Sequence, residues 1–188
     1  MKWTALVPLK PAGQRKTRLA SSLSADERDR LSDFMFNHVV SVLAGQRRIG
    51  RIILLTSERP AGWGWEFAAD RGRGLNVELT AARKGLRALA LLVMQADLPL
   101  LRAEDVAALL AAASSAPAVA PDRHGKGTNA LALPPHYPLH FRFGPGSFRR
   151  HRAQMAGARI VQRPGFALDV DTESDLACVF AAFPDLPT

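Results

Sequence analysis

Cysteine is nearly missing from this chain: Cys178 is the only one among 188 residues. A single thiol excludes an internal disulfide framework and any zinc site built from several cysteines. It suits a reducing compartment, and the expected location is cytoplasmic. Apolar runs are short, and the one over residues 89–94 falls far below the roughly 20 residues that cross a bilayer. The opening Met1-Lys2-Trp3 enters an apolar segment directly, without the pattern of a signal peptide. Aromatic residues make up 7% and form no base-stacking array. The spacings Gly-x4-Gly-Lys-Ser/Thr, Gly-x-Gly-x-x-Gly and Gly-x-Ser-x-Gly do not occur. That removes a Walker A loop, a dinucleotide fingerprint and a serine-hydrolase elbow. No linker, repeat or low-complexity block divides the chain.

What is present is positive charge. The net charge is +8, the pI is about 10.7, and twenty of the 25 basic residues are arginine. A basic balance admits nucleic acid as a partner, or a small polyanion drawn in by positive potential. Without stacking aromatics, a nucleotide is favoured over a nucleic acid, and neither a nucleic acid nor a membrane is expected as a partner. Hydrophobic residues at 47% give enough apolar surface for one well-packed core.

The apolar pattern alternates between short runs and helical periodicity. Runs at 3–8, 51–56 and 89–96 read as buried strands, with shorter ones at 116–121, 130–133 and 159–162. Ser24 and Glu27 have capping-box spacing ahead of an amphipathic helix that Gly45 ends. Helices are also expected over 77–89, from Glu104, from Ser147 as N-cap, and from Thr172, which pairs with Asp175 as a second capping box. Residues 58–74 read as irregular or weakly helical. His38 reads as a core-edge histidine, and Cys178 as core. The class is a single α/β domain over residues 1–188 with a mixed, mostly parallel sheet.

Three features carry the chemistry. The first strand empties into a loop with Lys10, Gly13, Arg15, Lys16 and Arg18, all donors and no acceptor. This is a phosphate holder or a solvated basic loop. Asp97 follows the apolar run 89–96, and Asp169-x-Asp171 places two carboxylates on one face of an extended segment. If the sheet is parallel there, all three project from one rim, the usual ligand side, and form a hard oxygen site suited to Mg²⁺ and phosphate. Finally, the turns 125–129 and 144–147 offer backbone N–H groups as two anion cradles. His151, one turn past Ser147, reads as part of a solvated basic helix face; contact with an anion is the alternative.

In order, Val-Pro-Leu-Lys…Lys-Thr-Arg-Leu (7–19), Ser-x-x-Glu-Arg (24–28), Gly-Leu-Asn (74–76), Ala-Asp-Leu-Pro-Leu (96–100), Gly-Thr-Asn (127–129), Phe-Gly-x-x-Ser-Phe (143–148) with His151, and Leu-Asp-Val-Asp-Thr with Asp-Leu (168–176) resemble the CofC/FbiD guanylyltransferases. The resemblance implies a Rossmann-like, GT-A-like nucleotide-diphospho-sugar transferase fold. It implies transfer of GMP from GTP to 2-phospho-L-lactate, phosphoenolpyruvate or 3-phospho-D-glycerate in coenzyme F-420 biosynthesis, with pyrophosphate leaving. It further implies two Mg²⁺ ions on Asp97, Asp169 and Asp171. Val7, Pro8, Lys10, Gly13, Lys16, Arg18 and Asn76 would bind the nucleotide, Asn76 near guanine or ribose. Thr128, Gly144 and Ser147 would hold the phospho-acid, and Asp97, Lys16 and Arg18 would be catalytic. The product would pass to a downstream phosphotransferase; a homodimer is left open. Molybdenum-cofactor guanylyl transfer is the alternative, although that family opens on a Leu-Ala-Gly-Gly loop. A non-catalytic nucleic-acid binder is the third reading, and it gives no reason for the three aspartates.

Overall fold

In strands with side chains alternating between two faces, a continuous apolar run must be covered on both sides. The computed structural model describes residues 1–60 and 62–183. Its strands are β1 (Trp3–Pro8), β2 (Ile49–Thr56), β3 (Glu66–Ala69), β4 (Ala90–Met94), β5 (Ala118–Pro121), β6 (Thr128–Leu133) and β7 (Arg159–Ile160). They form one seven-stranded sheet in the order β3-β2-β1-β4-β6-β5-β7. Its helices are α1 (Ala25–Ala44), α2 (Leu75–Lys84), α3 (Ala103–Ala112), α4 (Ser147–Arg152), α5 (Pro164–Ala167) and α6 (Glu173–Ala182). β1 pairs in parallel with β2 and β4, and β2 with β3, whereas β6 runs antiparallel to both β4 and β5.

The alternation is visible in the packing. Ala5, Val7, Ile52, Leu54 and Leu92 face Phe36, Val39 and Leu43 of α1 and Val106, Leu109 and Leu110 of α3. Their neighbours Leu6, Ile53, Leu55, Leu91 and Val93 point the other way, onto Leu79 of α2 and onto Phe141 and Phe143. Burying each such leucine stabilises the fold by about 1.5–3 kcal/mol. A third cluster joins Leu19, Leu31 and Met35 to Leu168, Val170, Leu176 and Val179. It clamps the N-terminal loop against the segment 168–171, although about 150 residues separate them.

Both expected capping boxes form. Ser24 accepts from Glu27 N and Thr172 from Asp175 N, and each acidic partner returns the bond to the cap's own N–H. Other expectations need correction. Residues 66–69, read as irregular or weakly helical, add edge strand β3, because Arg51 grips Glu66 across the pair (2.7 and 2.6 Å) and Trp63 Nε1 donates to Glu66 O. The N-cap of α4 is Gly146 in the left-handed region (φ 71°), and Ser147 is the first helical residue. The helix expected over 77–89 spans Leu75–Lys84. Cys178 is exposed. His38 sits half-buried at the core edge, its Nε2 2.8 Å from Leu101 O.

The short helix α5 has one unforgiving position. A Cβ on Gly165 would land on Asp105 Oδ2 and 2.9 Å from Leu101 Cα. Asp105 cannot yield freely, because it caps Arg102 N (3.0 Å) and pairs with Arg163 Nε (3.0 Å). Gly165→Ala is therefore expected to cost about 1–3 kcal/mol by overpacking, read as a lowered urea midpoint. An unchanged midpoint would show that α5 docks loosely.

Candidate active site

The sheet's mixed topology builds the site. β1 and β4 run in parallel, so the loop after Pro8 and the residue Asp97 leave the sheet at the same rim. β6 runs the opposite way beside β4 and so presents its first residues, Thr128 and Asn129, at that rim; Gln95 N donates to Asn129 O at 3.0 Å. The aspartate pair arrives differently from the expectation. Residues 168–171 belong to no strand. They are positioned by alternation within the third cluster: Leu168 and Val170 are buried, leaving Asp169 and Asp171 to face out.

Lys16 is the joint. Its backbone is left-handed (φ 48°, ψ 39°), an unusual and costly conformation for a residue with a Cβ. Its Nζ donates to Asp97 Oδ2 (2.5 Å) and Asp171 Oδ1 (3.2 Å), and Arg18 Nη1 donates to Asp171 Oδ2 (3.0 Å). Burial alone would lower the Lys16 ammonium, yet the charges and hydrogen bonds of Asp97 and Asp171 hold it above its ordinary value. Asp169 hangs nearby on Asn129 Nδ2 (3.3 Å), which also donates to Phe166 O (2.8 Å). Burial first, and then the charge of Asp97, push its carboxyl up to about 6.

Among the described residues, no three His, Cys, Asp or Glu side chains form a ready-made metal cage. The cation that Asp97 and Asp171 share here is Lys16. The donor set nevertheless suits a hard divalent ion. Asp97 Oδ1 is buried with no hydrogen-bond partner, and Asp169 is crowded by negative charge. Both are conditions that Mg²⁺ relieves.

Two cavities meet at this joint, of about 440 and 360 Å³. Arg18, Asp97, Gly144 and Asp171 line both. The first extends along Pro8, Lys10 and Arg15; the second reaches Thr128, Ser147 and Asp169. Of the residues read from the sequence, Pro8, Lys10, Lys16, Arg18, Asp97, Thr128, Gly144, Ser147, Asp169 and Asp171 thus share one continuous cleft.

Three do not join it as expected. Val7 is fully buried in β1. The Gly13 N–H is taken by Asp29 Oδ2 at 2.8 Å. Asn76 pairs both polar ends with the Phe143 backbone, accepting from its N–H (2.7 Å) and donating to its C=O (3.1 Å). It braces the segment before Gly144 instead of pointing to a base. The 125–129 turn is no open cradle, since Asp122 accepts from Lys126 N and Gly127 N, each at 2.8 Å. Sequence reasoning missed Asn129, the strut under Asp169. Its place beside Thr128 in the Gly-Thr-Asn motif was the available signal.

Residues 3–182 match the family model of guanylyl transferases like CofC. The chain belongs to that family. Among curated relatives of this CofC-like chain, the phosphoenolpyruvate guanylyltransferase of Sphaerobacter thermophilus is 38% identical, covering 92% of this chain and 89% of its own length. The enzyme of the same name from Rubrobacter xylanophilus is 40% identical, covering 92% and 91%. Among solved structures, a candidate nucleotide-diphospho-sugar transferase of Desulfovibrio desulfuricans superposes with a TM-score of 0.73 at 18% identity, covering 98% of this chain and 89% of its own. This likeness shows the fold. No helix among the described residues is long and apolar enough to cross a membrane.

The raised Asp169 gives the CofC-like chain a pH signature. In metal-free protein the folded state keeps this proton up to about pH 6, while the unfolded chain releases it near 3.8. The folded state binds more protons in that window, so the contribution of Asp169 to stability falls as pH rises from about 4 to 6, by about 3 kcal/mol at most. The check is urea unfolding of wild type against Asp169→Asn in chelator. The variant should become the more stable of the two toward pH 6, and Mg²⁺ should narrow the gap. A pH-independent difference would contradict the assigned crowding.

Proposed function

We propose that the chain transfers GMP from GTP to phosphoenolpyruvate, releasing pyrophosphate, as a step of coenzyme F-420 biosynthesis. The observation that carries this reading is the junction itself: Lys16 and Arg18 converge on Asp97 and Asp171 where two cavities meet. One cavity suits a triphosphate along the cationic loop, the other a small phosphorylated acid beside Thr128, Gly144 and Ser147. The relatives' names supply the acid, with 2-phospho-L-lactate and 3-phospho-D-glycerate as the alternatives to be tested.

An oxygen of the acid's phosphate attacks the α-phosphorus of GTP, and the bond from that phosphorus to the bridging oxygen breaks. The nucleophile is already ionised at neutral pH, so no general base is needed. Catalysis is positioning and charge neutralisation. Lys16 and Arg18 offset charge on the departing pyrophosphate, and the Ser147 hydroxyl and the Thr128 hydroxyl hold the acid. Asp97, Asp169 and Asp171 would hold Mg²⁺, which supplies positive charge to the α-phosphate and the leaving group when bound. The product is a reactive phospho-anhydride, suited to immediate use by a downstream phosphotransferase, and the setting is cytoplasmic.

The test is pyrophosphate release from GTP and Mg²⁺ with each of the three acids. Phosphoenolpyruvate should give the highest kcat/KM. A preference for either other acid overturns the substrate, and release with none of them overturns the reaction. Molybdenum-cofactor guanylyl transfer is disfavoured by the family match over residues 3–182.

A further inference from the structure

His151 was read as surface, yet its side chain is wholly buried and lies between the elements assigned to the acid. Its Nε2 sits 3.0 Å from Arg142 N, and its Nδ1 sits 3.0 Å from Thr128 Oγ1. The Phe143 ring packs against it in a T-shaped arrangement, with centroids 4.8 Å apart. A single imidazole therefore ties together β6, the segment before Gly144 and the helix that Ser147 begins.

The hydrogen bonds fix the direction of each proton. Arg142 N is a backbone donor, so Nε2 must accept and bears no hydrogen. Burial, and then the charge of Arg150, hold His151 well below its ordinary range, at about 4, so the ring is neutral near pH 7. A neutral imidazole carries one N–H, and here it must be on Nδ1. Thr128 Oγ1 accepts that hydrogen. Among the described residues no other group takes the threonine's own hydrogen, and Thr128 lines the second cavity.

We propose that His151 is a positioning residue that, as the Nδ1–H tautomer, turns the Thr128 hydroxyl into an obligate donor aimed at the anionic group of the phospho-acid. The inference rests on the proposed use of the second cavity as the acid's subsite. It explains why a buried histidine sits on an otherwise arginine-rich helix. An Nε2–H ring would clash with Arg142 N and would leave Thr128 free to donate its hydrogen backward into the ring.

Two measurements test it. In the wild-type protein, ¹⁵N–¹H correlation of the His151 ring should give a protonated, pyrrole-type Nδ1 and a pyridine-type Nε2 at pH 7. In steady-state kinetics, His151→Gln retains an acceptor near Arg142 but has no donor at the Nδ1 position. It should raise KM for phosphoenolpyruvate by about tenfold or more, since a hydrogen bond to a charged group is lost, with KM for GTP unchanged. In a Thr128→Val background the same substitution should add less than about twofold, because the two residues act through one bond. A merely structural histidine would instead lower both substrates' affinities in step with stability and multiply with Thr128→Val. An Nε2–H ring, an unchanged acid KM or multiplicative effects would each overturn the proposal alone. Failure of the wild type to bind phosphoenolpyruvate would overturn the functional reading, with the tautomer still intact.

Discussion

Asp97→Asn is expected to lower guanylyl transfer by about a thousandfold or more while the protein stays folded. The magnitude follows from removing a partly buried charge that acts where charge develops, for which a single preorganised contact is worth about 10²–10³ in kcat, and Asp97 makes two such contributions. Its Oδ2 holds the Lys16 ammonium at 2.5 Å, and its Oδ1 is a buried oxygen without a partner, available to a metal ion. Asparagine has the same shape, so Ala96 and Leu98 on either side remain packed in the core. Its amide, however, presents either a donor to the Lys16 donor or a neutral oxygen to a divalent ion. The rate is read as pyrophosphate release at saturating substrates, and the fold by circular dichroism and urea melting. Turnover within about tenfold of wild type would remove Asp97 from the chemistry.

Lys16→Met is expected to have the next largest effect, and it has a second, diagnostic component. Methionine keeps most of the stem and faces the same left-handed backbone cost, so the change isolates the ammonium. Catalysis should fall by about a hundredfold or more from the loss of one preorganised charge. Metal-free stability should fall as well, because Asp97 and Asp171 lose the cation they share. Breaking a fully buried pair costs about 3–5 kcal/mol; about 2 is expected here because Asp171 is half exposed. Millimolar Mg²⁺ should recover most of the lost stability but not the lost rate. Lys16→Arg should not rescue, since a planar guanidinium cannot place one compact charge between two carboxylates. Full recovery of rate by Mg²⁺ would mean that Lys16 serves only to hold the metal-free site together.

How legible this was in the sequence depended on the range of the interaction. Capping boxes at Ser24 and Thr172 are local, and both form as read. The buried runs identified β1, β2 and β4, because continuous apolar strands have few alternatives. The edge strand β3 was hidden: with a short, half-exposed Glu-Phe-Ala-Ala, it is held by a bidentate pair to Arg51 that no local pattern announces. The carboxylates could be read as a group, but the route by which they meet could not. Asp169 and Asp171 approach on an irregular segment pinned by Leu168 and Val170 to Leu19 and Met35, a contact between the two ends of the chain. His151 was misread for a related reason. Three arginines surround it in sequence, and only the return of the chain past Thr128 and Arg142 encloses it.

The central claim is attack on the α-phosphorus, and isotope fate tests it most directly. GTP labelled with ³²P at either the α or the γ position is incubated with the protein, Mg²⁺ and phosphoenolpyruvate, and the products are separated. The α label should appear in a guanylylated acid and the γ label only in pyrophosphate. A γ label on the acid, or both labels staying in GTP while the folded protein binds both substrates, would contradict it.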